Sequence, residues 1–286
     1  MKRVMLRAVP LVSIAALMIA VALLSQIVEA QSTGQPKSQP ATKPKAKKAK
    51  PAAPAGPQYY AISVLGIKSD MVNEWMEFAK NESMPALKKG GVKERSVWGT
   101  ATFGDVFQYV TITPIESFAQ YDGEPAVQKA LGREGYQAYL RKAARFVSSV
   151  RTFADRERAD LSYVGKMPVA PKLAVVSFVQ VAPGRGPEFE RTLKTDILPA
   201  IKRSGLAGFF VSQTVYGGDA NSYTIVVPYD TFAEIGKGPA VQRALGDAAY
   251  QSVMRKNIGV VTHIERMVAR YLPDLSFGGP PESSSK

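Results

Sequence analysis

The octapeptide PAVQKALG at residues 125–132 recurs as PAVQRALG at residues 239–246, 114 positions further on. A match of that length at one spacing constrains the fold more than any composition does, because self-similarity at a fixed period marks a repeated architecture. Carried outward without a gap, the spacing aligns residues 61–163 with 175–277, and roughly 30% of the pairs are identical. Glu74 meets Glu188, Pro85-Ala86 meets Pro199-Ala200, and Gly104-Asp105 meets Gly218-Asp219. Tyr109 meets Tyr223, and Asp160-Leu161-Ser162 meets Asp274-Leu275-Ser276. The pattern predicts two units of ordinary domain size, 59–163 and 173–277, joined by a Gly- and Pro-containing linker at 164–172.

Each unit reads the same way. Tyr60–Ile67 and Ala174–Val181 are apolar and β-branched, as strands are. A helix follows, with Trp75, Ala79, Ser83 and Leu87 every fourth residue and Phe189, Leu193, Ile197 and Ile201 at the same places. Arg95–Thr102 and Val106–Thr113 flank a Gly-Asp hairpin, and Pro114 and Pro228 are predicted to stop the second strand. Ser117 with Gln120, and Thr231 with Glu234, have capping-box spacing. In the octapeptide, Pro125 is expected at the first position of a short helix, Val127, Ala130 and Leu131 on its buried side, and Gly132 at its stop. A further helix and a last strand, Val147–Arg156 and Val261–Arg270, complete the order β-α-β-β-α-β. The fold class expected is α+β: two tandem ferredoxin-like repeats pairing into a pseudo-dimeric α/β barrel, an intramolecular pseudo-dimer.

The chain carries a formal net charge of +13, but eight of those charges precede residue 59. The remainder is too mildly basic for a nucleic-acid-binding stripe, so no nucleic-acid partner is expected. Lys2, Arg3 and Arg7 precede an apolar run from Ala8 to Leu24, and Val28-Glu29-Ala30 has the small residues of a cleavage site. Residues 1–30 therefore read as a signal peptide and the protein as exported, periplasmic or secreted; an uncleaved membrane anchor is the alternative. Residues 31–58 are rich in Lys, Pro and Ala and lack aromatic side chains, the composition of a disordered spacer. Its lysines allow a weak contact with the cell envelope surface. Residues 278–286 read as a disordered tail. There is no cysteine, which excludes disulfides, zinc–thiolate sites and cysteine nucleophiles.

The element order, the Gly-Asp hairpin and the corner sequences Pro114-Ile115-Glu116-Ser117-Phe118-Ala119 and Pro228-Tyr229-Asp230-Thr231-Phe232-Ala233 resemble the dimeric α/β-barrel superfamily, with NIPSNAP-like and antibiotic-biosynthesis-monooxygenase-like domains among its members. The resemblance covers both units. It implies two units paired through their sheets, each with a pocket between sheet and helices. Haem-degrading members use a helical histidine with a tryptophan and an asparagine, whereas the single histidine here, His263, falls on the last strand. Cofactor-free oxygenation and simple ligand binding are the chemistries the resemblance leaves.

Positions where the two units differ are the better functional candidates, since matched positions serve a shared scaffold. His263, opposite Ser149 at the 114 spacing, shares a strand face with Glu265, so a carboxylate stands ready to orient a general base. The other reading is a histidine hydrogen-bonded to Glu265 or to backbone. Tyr109 and Tyr223 lie mid-strand, and Trp98 and Tyr216 near the hairpins; these four are candidate ligand-binding aromatics or core residues. One histidine and no run of clustered carboxylates predict no metal site, and no cofactor-binding motif is present. Two function classes remain: an exported protein binding a small apolar or aromatic molecule, as a cofactor-independent oxygenase-like enzyme or a plain binder, and a non-catalytic module tethered at the envelope.

Overall fold

The computed structural model describes residues 58–165 and 171–278. The predicted signal peptide, the spacer up to residue 57, the centre of the 164–172 linker and all but the first residue of the tail lie outside the described residues.

The first half runs β1 (Tyr59–Ile67), α1 (Val72–Phe78), α2 (Met84–Lys89), β2 (Ser96–Thr100), β3 (Gln108–Ile115), α3 (Ala126–Phe146), β4 (Val147–Glu157) and the short β5 (Tyr163–Val164). The second runs β6 (Leu173–Val181), α4 (Gly186–Thr192), α5 (Leu198–Arg203), β7 (Gly208–Tyr216), β8 (Ser222–Tyr229), α6 (Phe232–Ile235), α7 (Ala240–Leu245), α8 (Asp247–Lys256) and β9 (Val261–Tyr271). A π-helical turn joins α1 to α2 at Ala79–Ser83, and another joins α4 to α5 at Leu193–Ile197. Each sits just before a proline, Pro85 and Pro199. A proline ring collides with the carbonyl four residues back and donates no hydrogen bond, and the wider turn relieves both faults without ending the helix.

The strands form one closed antiparallel sheet in the order β4-β1-β3-β2-β9-β6-β8-β7, with β7 returning to β4. This corrects the expected fold class. The molecule is a closed eight-stranded antiparallel β-barrel with helices packed outside, not a pseudo-dimeric α/β barrel of two tandem ferredoxin-like repeats. The reason lies at two seams. Ala154–Glu157 of β4 pair with Ser212–Tyr216 of β7, and Ala269–Tyr271 of β9 pair with Trp98–Thr100 of β2. Each last strand thus hydrogen-bonds across to the other half of the chain, and no sheet edge is left to define a separate unit.

The two Asp-Leu-Ser segments fasten these seams. The Ser162 hydroxyl donates to the Arg158 carbonyl (2.8 Å) and accepts from the Val211 N–H (2.9 Å). Ser276 does the same with the Leu272 carbonyl (2.8 Å) and the Val97 N–H (2.9 Å). Leu161 and Leu275 are buried beside them.

The helices cover the barrel through two apolar clusters. Trp75, Phe78 and Phe146 pack on Ile67, Val97 and Tyr109 in the first half. Phe189, Leu193, Ile197 and Ile201 pack on Val179, Phe209, Val211 and Tyr223 in the second.

Several local expectations change. Pro125 and Pro239 stand at the N-caps of α3 and α7, one residue before the helix proper. Val127 and Ala130 are buried, but Leu131 is 42% exposed. Pro114 and Pro228 lie inside β3 and β8, opposite Tyr60 and Ala174. Pro114 sits beyond Ile112, the last β3 residue paired with β2, where an N–H has no strand to meet on that side. Gly132 (φ 71°, ψ 174°) breaks α3 into two, and Gly246 (φ 77°, ψ 162°) separates α7 from α8. That conformation is open almost only to glycine. Gly132→Ala and Gly246→Ala are each expected to cost about 1–3 kcal/mol, read as a lower urea midpoint at unchanged m-value, although a methyl group would meet no atom within 4 Å at either position.

Candidate functional site

An eight-stranded barrel has room inside for side chains or one small ligand, so the helices lie outside and the opposite strand face lines the lumen. Alternation along each strand then assigns the residues. Val97, Tyr109, Val179, Val211 and Tyr223 face the helices and are buried. Their neighbours face inward: Ile62, Val64, Val110 and Ile112 in the first half, and Val176, Phe178, Phe210 and Val226 in the second. All eight are only part-buried, as are Trp98 and Phe153 on the same face. Ala174, Met267 and Ala269, grouped where β6 meets β9, are fully buried lumen-side exceptions. Solvent therefore reaches most of the apolar lumen wall.

The two seams lie opposite each other across the lumen, as the strand order requires, and they differ in chemistry. At the β2–β9 seam the rings of Trp98 and Tyr271 stand 5.1 Å apart between centroids. At the β4–β7 seam Asp155 is completely buried. Its carboxylate accepts from the Ser212 hydroxyl (2.6 Å) and the Thr214 hydroxyl (2.9 Å). Burial pushes the Asp155 carboxyl above its ordinary range, while Ser212, Thr214 and Thr224 hydroxyls pull it part of the way back. Tyr60, opposite Asp155 in the β1–β4 ladder, has its phenol pushed up to about 12, by burial first and then by the charges of Glu157 and Glu94 and a hydrogen bond to Glu157.

The residues named from the sequence do not converge. Trp98 is in the lumen wall. His263 and Glu265 share the lumen-side face of β9, opposite Gln180 and Phe178, but lie beyond the stretch paired with β2 and are exposed. Among the described residues no side-chain hydrogen bond joins them. Tyr109 and Tyr223 point away from the lumen into the helix-facing cores, Tyr109 against Trp75 (4.2 Å) and Tyr223 against Phe189 (4.9 Å). A bulge in the β4–β7 ladder sets Tyr216 opposite Ala154 and turns it outward. It is 65% exposed and stacks edge-on against Phe118 (5.6 Å).

Sequence reasoning missed Asp155 with Ser212, Thr214 and Thr224. One signal was available: Asp155 stands 114 residues before Ala269, the same kind of mismatch that singled out His263. Among the described residues no group of three or more His, Asp or Glu is arranged to hold a metal ion. Two hollows on the outer surface, of about 230 and 400 Å³, are open and bordered mainly by charged or polar side chains such as Lys237 and Arg243, or Glu188 and Lys256. The first also takes in Pro228 and Tyr229 at the end of β8.

Outside the polar seam lies an ionic clamp. Arg158 forks onto Glu190 of α4 (2.7 Å from Nη2 to Oε2) and onto Asp160 (2.9 Å from Nε to Oδ1). The Tyr223 phenol donates to Glu190 (2.8 Å). Asp160 is thus held by Arg158, and Asp274 is paired with Lys80 (3.2 Å).

No family model matches the sequence, and no curated protein matches it either. Among solved structures it is similar to an anthrone oxidase-like protein, at 11% identity and TM-score 0.54 over 80% of this chain and 97% of that one. It is also similar to a protein named as a monooxygenase from Fusobacterium nucleatum (10%, TM-score 0.50, 76% and 93%). A chlorite dismutase variant from Candidatus Nitrospira defluvii is comparable (8%, TM-score 0.50, 76% and 92%). These likenesses show a shared fold alone and leave duplication a property of the sequence spacing.

The clamp yields a test. The Arg158 hydrogen bond is the main reason the Glu190 carboxyl lies below its usual range, so its contribution is present above the ordinary glutamate pKa of about 4.3 and fades as pH falls through the lower folded value. Arg158→Met should destabilise by about 2 kcal/mol at pH 7, below the cost of breaking a fully buried pair because Glu190 is 27% exposed. The loss should shrink at pH 3; equal losses in denaturant melts at both pH values would refute the ionic account.

Proposed function

We propose that the protein is an exported binder of a small, mainly apolar or aromatic molecule, and that the molecule sits in the barrel lumen. One observation carries this reading: apart from the buried Met267, ten large apolar side chains face inward and none of those ten is fully buried. A wall of exposed apolar surface inside a closed barrel is the form a ligand chamber takes. Trp98 and Tyr271 supply a stacking face, and His263 and Glu265 stand on the lumen-side face of β9 beyond its β2 pairing. Two of the similar structures are named for oxygenation, which supports a cofactor-independent oxygenase-like form of this reading. Oxygen uptake with an anthrone-type phenol as substrate tests that form.

For binding itself, the neutral dye N-phenyl-1-naphthylamine should brighten on the wild-type protein with a Kd of about 1–10 μM, near −7 to −8 kcal/mol. Val226→Trp or Ile112→Phe, which fill the lumen, should weaken it at least tenfold while the far-ultraviolet circular dichroism stays unchanged. Dye binding that survives both substitutions would place the ligand elsewhere or nowhere.

Export is supported by the basic, apolar and small-residue pattern of residues 1–30. The mature protein should begin at Gln31 by intact mass; a retained Met1 would favour the uncleaved anchor.

A further inference from the structure

The polar seam is chemically one-sided. A hydroxyl has one proton to donate and two lone pairs to offer. The Ser212 and Thr214 hydroxyls both spend their proton on the Asp155 carboxylate, at 2.6 and 2.9 Å. Thr224 helps to lower the same carboxyl. Two strands are involved: Ser212 and Thr214 belong to β7, and Thr224 pairs with Ser212 across the β7–β8 ladder. Asp155 is wholly buried, but Ser212 and Thr224 are part-exposed on the lumen face. A molecule in the chamber therefore meets their oxygens rather than the carboxylate, and meets them from the lone-pair side. A protonated Asp155 would carry one proton and reverse at most one of the two bonds.

Among the described residues Asp155 also has no cation partner. Buried carboxylates ordinarily have a positive partner, because hydroxyls alone only partly replace the water removed. With Asp155 ionised, the local potential stays negative. An incoming donor would improve the hydrogen-bonding balance, and an incoming carboxylate would worsen it.

We infer that the Asp155 seam makes the chamber selective for ligands that bring a hydrogen-bond donor, a phenol hydroxyl or an amine, and turns away ligands that bring only acceptors or an anion. Asp155 acts as a positioning residue, setting the direction of the hydroxyls that touch the ligand. Trp98 and Tyr271 at the opposite seam provide the face for the ligand's aromatic body. The inference rests on the lumen reading above and goes further by naming the ligand class.

The experiment is a matched series on the full chain by calorimetric titration: 2-naphthol, 2-methoxynaphthalene and 2-naphthoate. The three share a ring system and differ in bringing a donor, only an acceptor, or an anion. Wild-type protein should bind 2-naphthol about tenfold or more tighter than 2-methoxynaphthalene, the discrimination typical of a site with built-in polar partners, and 2-naphthoate weakest of all. Ser212→Ala should pull the 2-naphthol to 2-methoxynaphthalene ratio toward one. Asp155→Asn, if it folds, should do so as well, since freed hydroxyls can turn and donate. The ratio is the readout, because a merely structural loss would weaken both ligands together. If all three bind with equal affinity, the seam does not select and the inference fails while the lumen reading stands. If none binds, the lumen reading itself falls and takes the inference with it.

Discussion

The whole arrangement depends on the main-chain pairing of β4 with β7 and of β9 with β2. A four-stranded sheet has two edges, and an exposed edge presents a row of unpaired N–H and C=O groups. Here each edge is used by the other half of the chain. Arg158 and Leu272, just past the ends of β4 and β9, continue the bonding onto the Val211 and Val97 carbonyls, both at 2.9 Å. Ser162 and Ser276 then reach back to the same two residues' N–H groups. Closure produces the lumen, the inward face that lines it and the opposed seams.

Closure also explains why the seams have diverged chemically while the outer layers remain alike. The helix-facing side of each half must pack apolar helices, so Tyr109 and Tyr223, or Val97 and Val211, fill equivalent core positions. The inward side has no such partner to satisfy. At the β2–β9 seam it carries Trp98, Ala269 and Tyr271. At the 114-residue spacing, the β4–β7 seam carries Ser212, Asp155 and Glu157 in their places. A carboxylate with no countercharge is an unfavourable thing to bury for stability alone. Only the Ser212 and Thr214 hydroxyls offset that cost.

Much of the local structure could be read from the residues. The residues gave the last strands within one residue of Val147–Glu157 and Val261–Tyr271. Alternation put His263 and Glu265 on one face, and the ladder against β6 agrees. What alternation could not give was the partner on the far side of a strand. Whether β4 ends at an edge or pairs with β7 depends on contacts 57 residues distant, such as Arg156 with Gln213, and nothing in the periodicity of either strand encodes them. Hence the expectation of two paired ferredoxin-like repeats, and hence the neglect of Asp155. In ADRER the aspartate reads as one more solvent-facing charge; only the closed barrel turns its face inward.

Tyr216 shows the same limit at the scale of one residue. By strict alternation from Ser212 and Thr214 it belongs to the lumen. One extra residue in the bulge opposite Ala154 reverses it, and the ring stacks outside on Phe118. A bulge shifts every later side chain on its strand to the other face. It also ends the polar lumen face of β7 at Thr214, level with Asp155. The hydroxyls that matter are thus confined to the stretch where the carboxylate can orient them, and the seam keeps its polar character local instead of running the length of the barrel.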